Sequence, residues 1–179
     1  MIFTTARLQA RALTADDAEN CFSVYGDPEV MRFITSDGEP APDVSIVRYL
    51  LESGMLAPQP DPRFGFFALE RTSDGEFIGT VALTAVEDSP DEYEVGWHLA
   101  RRHWGNGYAT EAGTALLEWG LSTLALDQVL ALVRPGNDRS VRVCETLGMR
   151  AAGTRMTQGS EHLCFVADRS EDGIACEKA

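Results

Sequence analysis

Lysine is almost missing from this chain of 179 residues. Lys178 is its only lysine, and 15 basic residues stand against 28 acidic ones, so the formal net charge is −13. A protein that neutralises nucleic-acid phosphates needs a basic face, and an anionic membrane surface attracts the same positive charge. Both kinds of partner are therefore disfavoured. The surplus of carboxylates permits a cationic partner such as an amine, although it also serves ordinary solubility.

Long apolar runs and paired cysteine motifs are missing as well. No run approaches the ~18 to 20 residues that a membrane span needs, and the first seven residues (MIFTTAR) lack a basic segment followed by an apolar one. Cys21, Cys144, Cys164 and Cys176 show no C-x-x-C or other metal-ligand spacing. We therefore expect a cytoplasmic protein with reduced thiols and no bound metal.

What is present indicates a single globular domain. The hydrophobic content is 44%, and a chain of this length buries roughly 70% of its unfolded surface around one core. No internal repeat or low-complexity tract divides the sequence. The predicted domain covers residues 1–168, and residues 169–179 form a polar tail.

Strand and helix patterns alternate along this domain. The acidic residues 87–91 predict a loop, the pair Asp27 and Pro28 predicts the end of the first helix, and the proline-rich residues 57–62 close the second. A continuous apolar run at 129–133 is typical of a strand buried on both faces. The predicted strands are 7–13, 64–70, 77–85, 93–99, 129–133, 150–156 and 162–167, and the predicted helices begin at Thr14 and cover 44–56, 106–124 and 137–147.

A glycine-containing turn before the helix 106–124 is the first candidate binding site. Gly105 and Gly107 let the backbone approach a ligand closely, and the first N–H groups of the helix lack internal partners, which suits phosphate. A tight strand-to-helix turn would use the same glycines. A dinucleotide-binding fingerprint is excluded because residues 100–104 separate the strand from the glycines and Asp127 precedes its strand. No Gly-Lys-Ser/Thr of a phosphate-binding loop follows.

Four stretches of the sequence resemble the GNAT superfamily of acetyltransferases: 94–99 (EVGWHL), 102–112 (RHWGNGYATEA), 137–140 (NDRS) and 144–149 (CETLGM). The resemblance runs from about Leu8 to Asp168 and is closest to the ribosomal-protein alanine and serine N-acetyltransferases. It implies a single-domain acyl-CoA N-acyltransferase fold of the α/β (α+β) class. Such a fold has a mixed, mostly antiparallel twisted sheet of about seven strands and about four flanking helices, which agrees with the element order.

The resemblance also implies a binding site for acetyl-CoA as cosubstrate. Residues 102–107 would wrap the pyrophosphate with backbone N–H groups, and the strand around Leu99 would bind the pantetheine arm through its main chain. The Asn137 side chain would reach that arm, cap the helix that it begins, or do both. Tyr108 and Ala109 suit helix packing as well as ligand contact. The implied cofactor-binding residues are Leu99, Arg102, Gly105, Asn106, Gly107, Tyr108, Ala109 and Asn137.

Glu94 is the candidate general base. Acetyl transfer needs a base for the amine, a donor for the oxyanion and an acid for the departing thiolate. A peptide α-amino group, with a pKa of ~7.7 to 8.0, loses its proton to a weaker base than a lysine-like amine, whose pKa is ~10.4. Alternation along the strand places Glu94, Gly96 and His98 on one face. Glu94 fits a solvated acidic cluster equally well, and His98 fits either a proton relay or a structural role.

Ser140 is the candidate general acid. Many members of the superfamily carry a tyrosine at the position of Cys144, where it protonates the thiolate. The resemblance implies that Ser140 takes this role, because a serine at its position is the proposed acid in the ribosomal-protein branch. Cys144 fits a small buried hydrophobe better than a donor. The catalytic residues expected from the sequence are thus Glu94 and Ser140.

Together these features predict a transferase that moves an acetyl group from acetyl-CoA to a primary amine by direct attack in a ternary complex. The preferred acceptor is a protein or peptide N-terminus. The alternatives are a small cationic amine (an aminoglycoside or a polyamine) and, in another class, a non-catalytic acyl-CoA-binding regulatory module. A second copy of the chain is a further candidate partner. We expect the acceptor to meet the turn near Gly159 and an acidic segment that contains Asp27, Glu29, Asp37, Glu39 and Asp43.

Overall fold

The elements of the chain form one sheet with helices on both faces. A computed structural model describes residues 1–35, 37–56, 61–157 and 159–169. The strands in these ranges are β1 (Phe3–Thr4), β2 (Leu8–Ala12), β3 (Gly65–Arg71), β4 (Phe77–Val86), β5 (Ser89–Leu99), β6 (Gln128–Val133), β7 (Arg150–Thr157) and β8 (Ser160–Asp168). The α-helices are α1 (Ala18–Tyr25), α2 (Pro28–Met31), α3 (Val44–Leu50), α4 (Tyr108–Glu118) and α5 (Asp138–Thr146).

The eight strands lie in the order β1-β2-β3-β4-β5-β6-β8-β7. Every neighbouring pair is antiparallel except β5 and β6. These two parallel strands pair at one position, Glu94 with Leu130, whereas β5 pairs with β4 along most of its length. The strands diverge beyond that position, so the C-terminal half of β5 has a free edge. The prediction of a mixed, mostly antiparallel sheet is confirmed.

Side chains alternate between the two faces of the sheet and build two large apolar clusters and a small third one around Leu130 of β6. Val95 and Leu99 of β5 pack with Leu116 of α4 on one face. On the other face, Ala68 of β3 packs with Tyr25 of α1, in a cluster that also includes residues of α2 and α3. The predicted alternation in β5 is confirmed, because the ring of His98 lies 5.8 Å from that of Tyr25 while Trp97 lies beside Gly113 of α4.

The prediction that Asp27 and Pro28 end the first helix is confirmed, and the prediction of a loop over 87–91 is wrong. The Asp27–Pro28 pair does follow the end of α1, but it also begins α2, since Asp27 accepts a hydrogen bond from the Glu29 N–H at 2.8 Å and proline suits the first helical position. The acidic stretch 87–91 is not all loop, because β5 begins at Ser89. Arg155 of β7 holds this part of β5, with a 2.6 Å ion pair to Glu92 and a 2.5 Å hydrogen bond to Ser89.

Two predicted helices change helix type before they end. Helices α3 and α4 each continue as a turn of π-helix, Leu51–Met55 and Trp119–Thr123, so the predicted helices 44–56 and 106–124 are each split between two helix types. Within the ranges given above, no helix is long and apolar enough to cross a membrane. Residues 57–60 of the proline-rich segment and 170–179 of the predicted tail lie outside the described residues.

Candidate active site

A cleft of about 800 Å³ opens where β5 and β6 diverge. Its walls come from the C-terminal half of β5, the turn before α4, the end of β6, the start of α5 and the segment that contains α2. The residues predicted for the site that line it are Leu99, Gly105, Gly107, Tyr108, Ala109, Asn137 and Ser140. Glu94, Arg102 and Asn106 are placed around it rather than in its wall.

The free edge of β5 presents main-chain groups to this cleft. The Ala100 N–H donates to the Ile78 carbonyl across to β4, and main-chain groups alternate in direction along an antiparallel pair. Val95, Trp97 and Leu99 therefore direct their N–H and C=O groups away from β4, toward β6 and the opening. The Leu99 carbonyl already accepts a hydrogen bond from the indole Nε1–H of Trp104, with a donor–acceptor distance of 2.9 Å. An extended ligand arm can pair with the groups that remain.

The turn into α4 has the backbone shape of an anion site. Gly105 and Gly107 both have φ of +77°, a conformation that glycine adopts without strain, and Gly107 is the N-cap of α4. Asn106 fixes the turn, because its Nδ2 donates to the carbonyls of His103 and Trp104 at 3.1 and 3.2 Å. The first N–H groups of α4 and the positive end of its dipole thus face the cleft mouth, as phosphate binding requires.

The N-terminal strand region braces this turn from behind. Glu111, in the first turn of α4, accepts hydrogen bonds from Thr5 Oγ1 at 2.5 Å and from the Arg7 N–H and Nε at 2.9 and 2.6 Å. Burial raises the pKa of this carboxyl, but these hydrogen bonds outweigh burial and lower the pKa overall. Arg7 also donates to the Asn106 carbonyl at 3.1 Å. The carboxylate near the anion site is therefore neutralised by Arg7.

Arg102 does not point its guanidinium into the cleft. Its side chain is about half exposed, and Nε lies 3.5 Å from Glu76 Oε1 while Nη2 lies 3.5 Å from the Phe77 carbonyl. Any contribution of Arg102 to a bound anion therefore comes from its main chain. The neighbouring His103 is buried and lines the cleft, with Nε2 3.2 Å from Glu76 Oε1. The binding turn is thus tied to the start of β4.

Asn137 and Ser140 lie together at the start of α5. Asn137 caps the helix, since its Oδ1 accepts from the Ser140 N–H at 3.3 Å. Its Nδ2 and the Ser140 hydroxyl make no hydrogen bond within the described part of the chain, and both residues line the cleft. Cys144 is fully buried, and burial raises the pKa of its thiol to about 12. The geometry thus favours Ser140 over Cys144 as a proton donor.

Glu94 lies where the two strands begin to diverge, on the same face of β5 as Gly96 and His98. Burial raises the pKa of its carboxyl to about 7, although Arg155 acts to lower it. Two residues along a strand span about 7 Å, so Glu94 stands about that far from Gly96, which lines the cleft. A carboxylate beside the cleft can exchange a proton with it through water.

His98 belongs to a buried hydrogen-bonded group that includes a residue the sequence did not indicate. Tyr25 of α1 places its hydroxyl 2.7 Å from Thr80 Oγ1 and 3.2 Å from His98 Nδ1. Burial lowers the pKa of His98 to about 4, so its ring is neutral at neutral pH, and burial raises the pKa of Tyr25. No local motif marks Tyr25 as a partner of a strand 73 residues away.

Most carboxylates of the acidic segment that was expected to meet the acceptor form hydrogen bonds to their own neighbours in the chain. Asp27 and Asp43 are helix N-caps, and Asp37 accepts hydrogen bonds from Thr35 Oγ1 and the Glu39 N–H. Within this segment, Glu29 is the only described carboxylate that lines the cleft.

Comparison with known proteins identifies the fold and the chemistry. Residues 7–150 match the family model described as an acetyltransferase (GNAT) domain. The chain is 29% identical over 151 residues to the uncharacterized N-acetyltransferase p20 of Bacillus licheniformis, covering 83% of this chain and 82% of that one. It superposes on an acetyltransferase from Agrobacterium tumefaciens with a TM-score of 0.75 and 28% identity, covering 92% of each chain.

A more distant structure carries a bound ligand. The ribosomal α-N-protein acetyltransferase RimL, solved in complex with coenzyme A, superposes with a TM-score of 0.75 over 93% of this chain and 97% of its own, at 14% identity. That likeness concerns the fold alone. With the family match over most of the chain and the free strand edge beside a glycine-rich helix start, the chain belongs to the GNAT family and is an acetyl-CoA-dependent N-acetyltransferase.

Proposed function

We propose that this enzyme acetylates the α-amino group of a protein or peptide N-terminus, by direct attack of the amine on acetyl-CoA in a ternary complex. The observation that carries the proposal is the Glu94 carboxylate, which lies beside the cleft on the strand that forms its wall and whose pKa burial raises to about 7. A base works best when its pKa lies near the operating pH. The pKa of an α-amino group, ~7.7 to 8.0, is close to that of Glu94, so the proton can pass to the carboxylate. A lysine-like amine, with a pKa of ~10.4, would keep its proton.

Other residues in and around the cleft bind the cosubstrate and transfer the remaining protons. The start of α4, with Gly105 and Gly107, binds the pyrophosphate, and the free main-chain groups of β5 bind the pantetheine arm. The amine nitrogen forms a bond to the thioester carbonyl carbon while Glu94 receives its proton through water. The carbon–sulfur bond then breaks, and Ser140 supplies a proton to the thiolate of coenzyme A. His98, neutral and held by Tyr25, orients the acceptor side without changing charge.

Ligand binding and turnover test this proposal in sequence. Coenzyme A at 100 times its Kd is expected to add about 2.7 kcal/mol to the free energy of unfolding. Thiol release from acetyl-CoA is then measured with N-terminal peptides, polyamines and aminoglycosides, and we expect turnover with the peptides. Turnover confined to polyamines or aminoglycosides would favour a small cationic acceptor. Stabilisation by coenzyme A without thiol release from any acceptor would favour a regulatory module.

Replacing Ser140 by alanine should lower kcat by about 100-fold, the lower end of the contribution of a positioned acid. The KM for acetyl-CoA should change little, because the Ser140 backbone and the Asn137 cap remain. Ser140→Thr keeps a hydroxyl at this position and should retain more activity than Ser140→Ala. Steady-state kinetics with both substrates varied measure these effects. An unchanged kcat in Ser140→Ala would remove Ser140 from the mechanism.

A further inference from the structure

The arginines for which the described residues supply no ion pair are concentrated in the cleft. Of 14 arginines, eight are paired with carboxylates, and the cleft is lined by four of the others. Surface arginines in a chain with 28 acidic residues readily find partners, so four that stay unpaired within the described residues and share one cleft indicate anionic ligands. These four are Arg32, Arg134, Arg139 and Arg142.

Two of the four belong with the phosphates of acetyl-CoA. Arg139 and Arg142 are on α5, and the guanidinium of Arg139 lies 4.3 Å above the ring of Trp104, which directly precedes Gly105. This stacking holds Arg139 beside the turn that forms the phosphate site. These two arginines therefore supply positive charge to the cosubstrate end of the cleft.

Arg134 lies on the other face of the sheet, which is the acceptor face. Val129, Ala131 and Val133 of β6 pack in the cluster with α4, so alternation puts Arg134 on the same face as Leu130. Leu130 pairs with Glu94, and the two side chains share that face. Arg134 thus borders the cleft on the side of Glu94 and His98. Arg32, just after α2, lines the same side.

The Arg134 guanidinium makes no hydrogen bond with any of the residues that the structure describes. Its Nε is buried without a hydrogen-bond partner among the described residues. Asp37 is near enough for Arg134 to contribute to lowering its pKa, but that carboxylate is already held by Thr35 Oγ1 at 2.8 Å and the Glu39 N–H at 3.2 Å. A buried donor that lacks a partner carries a desolvation cost. Because Arg134 lines the cleft, a ligand carboxylate there can pair with the terminal nitrogens of its guanidinium.

We propose that Arg134, with Arg32 beside it, binds a carboxylate on the acceptor, so that the preferred substrates are peptide N-termini with an acidic residue just after the reacting one. This inference rests on the proposed function and narrows it to a substrate class. Glu29 lines the same cleft and is placed to attract the ammonium form of the acceptor before it loses its proton. The acceptor site would then recognise both charges of an acidic N-terminal segment.

The test uses two peptides that differ in one charge, Ser-Asp-Ala-Ala-amide and Ser-Asn-Ala-Ala-amide. We expect kcat/KM to be about tenfold or more higher for the aspartyl peptide. In Arg134→Gln this preference should disappear through a raised KM for the aspartyl peptide, with the KM for acetyl-CoA unchanged. Arg139→Gln is the matched control and should raise the KM for acetyl-CoA while keeping the preference.

Two further measurements keep the outcomes distinct. Raising the ionic strength should raise the KM of the wild-type enzyme for the aspartyl peptide more than for the asparaginyl peptide. Arg134→Lys keeps the charge and should keep part of the preference, which guards against a folding defect in Arg134→Gln. Equal turnover of the two peptides by the wild-type enzyme overturns this inference and leaves N-terminal acetylation intact. If neither peptide is acetylated, the proposed function fails and this inference fails with it.

Discussion

Replacing Glu94 by glutamine is expected to lower kcat for a peptide acceptor by about 100-fold or more, while making the protein more stable at pH 8. The first effect follows from the loss of a general base, which contributes 10²–10⁴ in rate in typical enzymes. Glutamine has nearly the same shape, so the packing beside Leu130 and Thr84 is retained. Steady-state kinetics with acetyl-CoA at saturation measure kcat directly.

The stability effect comes from the cost of burying a charged carboxylate. The pKa of Glu94 is about 7 in the folded protein, against an ordinary value of 4.5. The folded state therefore binds the proton more tightly than the unfolded chain, so the contribution of Glu94 to stability is fully present below pH 4.5 and is lost as the pH rises through 7. At pH 8 the loss corresponds to about 3 kcal/mol. Glutamine stays neutral at pH 8, so the variant does not suffer this loss of stability.

The pH dependence of turnover separates a catalytic role from a structural one. In the wild-type enzyme kcat should rise with pH around an apparent pKa of about 7, because the base must be ionised to accept a proton. This rise should be absent in Glu94→Gln. Asp91→Asn is the matched control, since it removes one carboxylate from the same strand at an exposed position. A Glu94→Gln enzyme with normal kcat and the wild-type pH profile would rule out Glu94 as the base.

The parts of the site that are local in sequence could be predicted from it. Gly105 and Gly107 must take a left-handed backbone at a helix start, and Asn137 must cap α5, because both requirements are met within a few residues. The alternation that places Glu94 with His98 is equally local. These features depend on backbone geometry that any fold would impose.

The parts that depend on distant residues could not be predicted. The pKa of Glu94 depends on its burial and on Arg155 of β7, and the partner of His98 comes from α1. Arg134 follows a plain apolar strand, and the divergence of β6 from β5 places it in a cleft, where its Nε has no hydrogen-bond partner in the described part of the chain. The same reason explains the wrong loop at 87–91, since Arg155 stabilises that end of β5 from another part of the sheet.

Replacing Gly79 by alanine is expected to destabilise the protein by about 3 kcal/mol, the upper end of the usual cost of overpacking, and to reduce activity with it. Gly79 of β4 pairs with Leu99 of β5, and a Cβ at this position would lie 2.2 Å from the His98 carbonyl oxygen and 2.8 Å from Leu99 Cα. Both are backbone atoms and cannot rotate away. Strand β5 would have to move, and its free edge forms one wall of the cleft.

Gly96→Ala is the matched control for this substitution, because Gly96 lies on the neighbouring strand and its Cβ would meet only the Ala82 side chain, at an ordinary 3.8 Å. Its stability should stay the same or rise by up to about 1 kcal/mol, since alanine restricts the unfolded chain. Thermal unfolding should place Gly79→Ala roughly 10 °C below the wild-type protein. Equal melting temperatures for the two variants would show that β4 and β5 do not need the close approach at Gly79, and the wall of the cleft would then tolerate a side chain there.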